Sequence, residues 1–400
     1  MTDELKASWV DTQAQVDELS ARLRQASTVA LDTEFHGERS YTPHLMLIQL
    51  ATDDGLWLVD PRADVDLRGL FETLADGGPQ VVGHALHNDL EILALRYDIV
   101  MKRVFDTQIA ASFLGYGLQI GLVNLINELF SVRLPKGAQM ADWSQRPLPE
   151  RQRVYAANDV RYLLGAQALL TEELERNDRL SWVNEECQQL SSSERYGRDP
   201  DLVYRRVSGF RKLRAIEAGV LVALAAERER IAAHLDLVPH FLLSDDTLVA
   251  LARRKPTEFA DVKGDRRLNH RNIHKFQERW LAAVQRGLQK PFPRPPSRPQ
   301  ITPGMEAAAA VVMLVVNELA ERERLAPQLL LRRKEMIRVL QDGFDSQEQM
   351  LDLLALKGWR RRLLGDVVWD LLQGRLQITC GHHPKRGYHV DFNQIDGTAD

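Results

Sequence analysis

Cysteine is nearly absent. The 400 residues hold two, Cys187 and Cys380, too few for a disulfide framework and too far apart for a zinc ribbon. Long apolar runs are missing as well. The longest, Ala307 to Val316, is about half of the ~20 residues a membrane-spanning helix needs. The first residues, Met1 to Asp11, are charged and contain no apolar run of the kind a signal peptide uses. These absences predict a soluble protein of a reducing compartment, cytoplasmic and without a membrane partner. What is present is ordinary core material: 44% of residues are hydrophobic, enough for the two to three domains expected of this length.

The net charge of −4 speaks against a nucleic-acid partner only as an average. Residues 1–204 hold 19 Lys+Arg and 32 Asp+Glu, whereas residues 205–376 hold 31 and 21. An acidic front half can supply metal ligands and a basic back half can neutralise phosphates. Two domains of unrelated charge would give the same numbers.

Val29 to Phe35 alternates as a strand does, with Val29, Leu31, Thr33 and Phe35 on one face. Met46–Ala51 and Leu56–Val59 are further strands around a turn at Asp53-Asp54-Gly55. A fourth begins at Val81, followed by a helix from about Asn88 to Tyr97. The longest helical pattern runs from Pro149 to Glu175, with proline suited to the first turn. Strands first and helices interleaved afterwards predict an α/β domain over residues 1–190. Ser191–Asp201 reads as a linker and the proline-rich Lys290–Gly304 as a semi-rigid spacer. Between and after them lie two helical stretches, 205–289 and 305–376, that repeat each other. Ala226-Glu227-Arg228-Glu229-Arg230 recurs from Ala320, Leu237-Val238-Pro239 from Leu325, and Val262-Lys263-Gly264-Asp265-Arg266-Arg267 from Leu356. The middle match differs in offset, which implies an insertion at Ile231–Asp236. Ordered matches of this kind indicate two copies of one helical module, followed by a tail, 377–400.

Asp32 and Glu34, two apart on a strand, leave the same face. Paired acids repel and persist where a cation or water neutralises them. Asp89 follows the fourth strand in Gly83-His84-Ala85-Leu86-His87-Asn88-Asp89, and Asp159 shares a helix face with Tyr155 four residues before it. Four carboxylates without cysteine make an all-oxygen site suited to Mg²⁺ or Mn²⁺. Two such ions could stabilise the attacking and leaving oxygens of a phosphodiester, with Tyr155 positioning the attacking water.

These residues resemble the DEDDy exonuclease superfamily: Asp32-Thr33-Glu34-Phe35, His84 to Glu91, and Tyr155-Ala156-Ala157-Asn158-Asp159 stand where its three motifs do. The connecting segments Tyr41-x-Pro43, Leu47-Ile48-Gln49-Leu50, Phe105-Asp106-Thr107 and Asp142-Trp143-x-x-Arg146-Pro147-Leu148 are similar to the ribonuclease D family in particular. The repeated module resembles the HRDC domain. The resemblance implies a ribonuclease-H-like fold, a mixed sheet flanked by helices, followed by two all-α HRDC-like domains. It implies a 3′→5′ exoribonuclease that releases nucleoside 5′-monophosphates, with RNA bearing a free 3′ end as partner, notably transfer-RNA precursors, and with no obligate protein partner. Asp32, Glu34 and Asp159 would hold one ion, and Asp32 would bridge to a second beside Asp89. Phe35 and His36 lie where relatives contact the last nucleotides. Trp143 is a candidate stacking platform, against the alternative of an ordinary buried aromatic. Lys263, Arg266, Lys357 and Arg360, recurring beside glycine, are candidate phosphate contacts. His84 and His87 read as packing or capping residues, Glu227–Arg230 as an exposed charged helix face, and Cys380, His382 and His383 as no metal site. A DNA exonuclease and a non-catalytic nucleic-acid-binding scaffold are the rival readings.

Overall fold

The computed structural model describes residues 6–37, 39–75, 77–135, 137, 141–192, 196, 199–262, 271–292, 299–383 and 387–394. Its first part is a mixed six-stranded sheet in the order β1-β4-β3-β2-β5-β6, made of Ser8–Val10 (β1), Thr28–His36 (β2), His44–Thr52 (β3), Gly55–Val59 (β4), Gln80–Gly83 (β5) and Val104–Asp106 (β6). β2, β3 and β4 form an antiparallel meander, while β1 joins β4, β5 joins β2 and β6 joins β5, all in parallel.

Both faces of the sheet are covered. Val29 and Leu31 pack with Leu90 and Leu93 of α3 (His87–Tyr97) and with Leu70 and Phe71 of α2 (Arg68–Ala75). Ala30, Leu47 and Val82 pack on the other side with Ala156 and Val160 of α6 (Glu150–Arg161) and Leu170 and Leu174 of α7 (Leu163–Arg176). The face that carries Asp32 and Glu34 is therefore apolar at Ala30, further back along the strand, and acidic only toward the strand's end. α6 and α7 replace the single helix expected from Pro149 to Glu175: the chain bends at Tyr162, φ −103° and ψ −5°. Smaller helices α1 (Gln13–Leu23), α4 (Thr107–Ser112), α5 (Leu122–Phe130) and α8 (Leu180–Gln188) complete the unit.

The helical stretches repeat as elements. The first has α9 (Ala215–His234), α10 (Pro239–Leu242), α11 (Asp245–Arg254), α12 (Arg271–Lys275) and α13 (Gln277–Gln289). The second has α14 (Pro303–Arg322), α15 (Pro327–Leu330), α16 (Arg333–Asp342), α17 (Gln347–Leu353) and α18 (Gly358–Leu372). α9 and α14 are both 20 residues long. Each ends before a left-handed residue, Asp236 (φ 48°) and Arg324 (φ 52°), and each is followed by a one-turn helix opened by proline. Arg214 thus pairs with Thr302, Asp236 with Arg324 and Pro239 with Pro327. In that register Ala226 pairs with Leu314, not Ala320. The expected insertion at Ile231–Asp236 does not exist, and the two Ala-Glu-Arg-Glu-Arg runs occupy different turns of their helices.

The first of those runs is not an exposed face either. Glu227, Arg228 and Glu229 are buried. Glu227 accepts from Arg279 and Arg286 at 2.6 and 2.9 Å, and Arg228 donates to the Leu243 carbonyl and to Asp245. α14 is long and apolar enough by composition to cross a membrane, yet its Val312, Val316 and Leu319 are core. The tail forms an antiparallel hairpin, β7 (Leu376–His383) with β8 (Gly387–Gln394). Its Ile378 and Phe392 pack on the second helical stretch.

Candidate metal centre and its surroundings

β2 delivers Asp32 and Glu34, and α6 crosses the same face to deliver Asp159. Carboxylate oxygens of these three lie within 4.8 Å of one another. The strand shifts register between Glu34 and Phe35, which lets the chain turn at the rim just after the second acid. Asp89, in the first turn of α3, is buried and comes from the opposite side of β2, where the Thr33 hydroxyl donates to it. The α3 turn is shaped by Asp106, which accepts from the backbone N–H of Ala85 and Leu86 at 3.0 and 2.9 Å and also caps α4. That gives a structural reason for the Phe105-Asp106-Thr107 segment. His84 bridges Thr107 and the Ile120 carbonyl, both at 2.9 Å.

The electrostatics are those of crowded like charges. Burial, with Asp159, Asp89 and Glu34 adding their negative potential, raises the Asp32 carboxyl well above its ordinary range. Burial and then Asp159 and Asp89 push Glu34 to about 8. Burial alone takes Asp159 to about 8. Asp89 is held to about 6, because the Thr33 hydrogen bond offsets part of its burial. Such groups ionise together only when positive charge is brought among them. The oxygen-only donor set and the mutual spacing fit a hard divalent cation.

Tyr155 lies one turn before Asp159 on α6, its ring 6.0 Å from that of Trp143. Trp143 itself is buried at 2% exposure. Of the two readings of this residue, the burial and the contact with Tyr155 match that of an ordinary buried aromatic. Arg146, three residues on, grips Asp60 through Nε and Nη2 at 2.6 and 2.7 Å and donates to the Met46, Trp143 and Gln145 carbonyls. This pair locks the loop over β3 and β4, a role that spacing alone gave no way to see. Phe35 is half-buried against the core, and His36 follows it at the rim.

The basic candidates divide. Lys263 and Arg266 lie outside the described residues. Lys357 is exposed at the start of α18. Arg360 is not a free phosphate contact: it binds Glu186 of α8 at 2.7 Å, donates to the Leu329 carbonyl and lies 4.7 Å over the Trp359 ring. Trp359 stacks on Trp182 at 5.1 Å and meets Phe113 edge-on at 5.0 Å, with its backbone N–H on Glu185. The glycine-basic loop of the second helical stretch is thus an internal joint to the sheet domain.

A parallel-and-antiparallel sheet with acids converging from β2, α3 and α6 defines a 3′-5′ exonuclease, and the family model of that description matches residues 7–175. The HRDC domain model matches residues 217–284. Ribonuclease D of Bartonella henselae is 31% identical over 89% of this chain and 87% of its own length. Ribonuclease D of Jannaschia sp. is 34% identical over 92% and 97%. The crystal structure of Escherichia coli RNase D, described as an exoribonuclease involved in structured RNA processing, superposes with a TM-score of 0.80 at 28% identity, covering 92% of this chain and 99% of that one. The chain belongs to the ribonuclease D family and is an exoribonuclease that uses divalent metal.

Proposed function

We propose that the protein shortens RNA from its 3′ end by hydrolysis, releasing nucleoside 5′-monophosphates one at a time. The observation that carries this reading is the convergence of Asp32, Glu34 and Asp159 within 4.8 Å, with Asp89 across the strand. Two bound ions, Mg²⁺ or Mn²⁺, would stabilise the attacking and leaving oxygens of the phosphodiester. Asp32, Glu34 and Asp159 would hold one, Asp32 would reach both, and Asp89 would face the second, its orientation set by Thr33. The Tyr155 hydroxyl would orient the attacking water by a hydrogen bond, since a phenol O–H can both donate and accept. Phe35 and His36 would border the last nucleotides at the rim.

Structured precursors such as those of transfer RNA are the substrates we favour, supported by the description of the Escherichia coli relative. We further propose that residues 1–190 carry the chemistry, that 205–289 and 305–376 act as HRDC-like modules, and that the enzyme works in the cytoplasm. Matched 5′-labelled RNA and DNA oligomers incubated with Mg²⁺ or Mn²⁺ test the reading. A ladder shortening from the 3′ end of RNA, with mononucleotide 5′-phosphates as product, is expected. A faster ladder on DNA, or 3′-phosphate products, would overturn it.

A further inference from the structure

The segment that joins β2 to β3 leaves the sheet two residues after Glu34 and returns at His44, which pairs with His36. Its far end meets the first helical stretch. The Tyr41 hydroxyl donates to Glu229 at 2.7 Å, and Glu229 is a buried carboxylate in the middle of α9's second half. The backbone N–H groups of Tyr41 and Thr42 donate to Asp236 Oδ1 at 3.1 and 3.3 Å, and His44 Nε2 lies 3.0 Å from Asp236 Oδ2. Asp236 can present its carboxylate there because the chain turns left-handed at that residue, φ 48°.

The same segment is held from a third side. Arg96 of α3 donates to the Pro43 and Thr42 carbonyls, both at 3.1 Å, and to His44 Nδ1 at 2.9 Å. Arg96 lies two turns beyond Asp89 on one helix face. Residues 41–44 therefore touch the strand that carries Asp32 and Glu34, the helix that carries Asp89, and the first helical stretch. The exposed pair of His44 and Asp236 contributes little by itself. The buried Glu229 is different, because leaving a buried charged acceptor without its donor costs the full desolvation of that group.

We propose that the first helical module sets the relative placement of β2 and α3 at the metal centre through this junction, with Glu229 and Asp236 as positioning residues of the exonuclease reaction. The module then does more than hold RNA: whatever shifts α9 shifts the acids. The proposal rests on assigning the four acids to the metal centre, and Asp32→Asn tests that assignment separately.

The test uses the full-length protein and a trinucleotide RNA, so that grip on a folded RNA body contributes nothing. Tyr41→Phe and Asp236→Ala should each lower kcat by about 10- to 100-fold, the scale of a reacting group misplaced by up to 1 Å. The Mn²⁺ concentration for half-maximal rate should rise several-fold while KM for the trinucleotide stays unchanged. Glu229→Gln, which keeps an oxygen to accept from Tyr41, should remain near the parent rate. Wild-type kcat and metal requirement in Tyr41→Phe and Asp236→Ala would overturn the proposal, and so would a loss that appears only in KM. Should Tyr41→Phe fail to fold, Asp236→Ala decides alone, since its carboxylate is exposed and its removal spares the core.

Discussion

At the scale of single residues, the four acids are set against one another. A carboxyl whose pKa is higher in the folded than in the unfolded state keeps a proton the unfolded chain has shed. Its contribution to stability therefore declines as pH rises from the unfolded value near 4 through the folded one. For Glu34 and Asp159 that window reaches about 8, and for Asp89 about 6. In chelator, the melting temperature should fall between pH 5 and pH 8, and Asp32→Asn should flatten the fall. Added Mn²⁺ should raise the melting temperature more at pH 8 than at pH 6, because protons compete for the same oxygens. Equal metal-induced shifts at the two pH values would contradict this account. Asp32→Asn should also remove nearly all turnover while RNA binding persists; a tenth of the parent rate surviving would refute the bridging role. Tyr155→Phe removes one hydroxyl beside the buried Trp143 and keeps the ring. Its rate should fall by roughly 10²–10⁴-fold, as for a lost acid–base partner, with affinity unmoved in a binding titration.

At the scale of elements, the sequence was most informative where the period was clear and chemistry was dense. The meander of β2, β3 and β4 followed from alternation, and the acids from their spacing on strand and helix. Three-residue strands such as β1 and β6 show too few residues to establish a period, and α6 and α7 blur into one pattern because Tyr162 interrupts the helix without proline or glycine. The tail hairpin was missed although its signal is present: Leu376-Gln377-Ile378-Thr379-Cys380 and Tyr388-His389-Val390-Asp391-Phe392 both alternate with the period of a strand. The basic loops misled for a physical reason: an arginine offered to phosphate and an arginine offered to a neighbouring carboxylate look the same in sequence. Arg360 shows the difference. Arg360→Ala should destabilise the protein by about 2–3 kcal/mol in urea unfolding, somewhat less than the 3–5 of a fully buried pair. The salt dependence of RNA binding should not change. Removing an arginine that neutralises a phosphate would instead flatten that slope by ~0.7, and such a change would return Arg360 to the RNA surface.

At the scale of the molecule, charge and repeats suggested a catalytic unit that could be cut from two helical handles. The cores contradict so simple a division. Phe113 and Trp182 of the sheet domain are closed over by Trp359, and the buried Arg179 ties the Phe113 carbonyl to Glu323. Both repeats meet the sheet domain near the turn that ends their long helix, at Asp236 in one and Glu323–Arg324 in the other, although an acid in the first is replaced by a base in the second. The two stretches make similarly placed joints, and the second is the more apolar. Truncation after Ser191 should therefore strip a stacked tryptophan from the sheet domain, a loss of about 3–5 kcal/mol on the scale of large buried aromatics. For a domain of this size each kcal/mol is worth roughly 2–4 °C, so the truncated protein should melt about 6–20 °C below the full chain or fail to remain soluble. A truncation before the linker that left the transition unchanged would show the aromatic joint to be a passive one. Trp359→Ala in the full chain separates the two effects: it should reproduce most of the drop in melting temperature while leaving the basic first module, and hence the salt dependence of RNA binding, as it was.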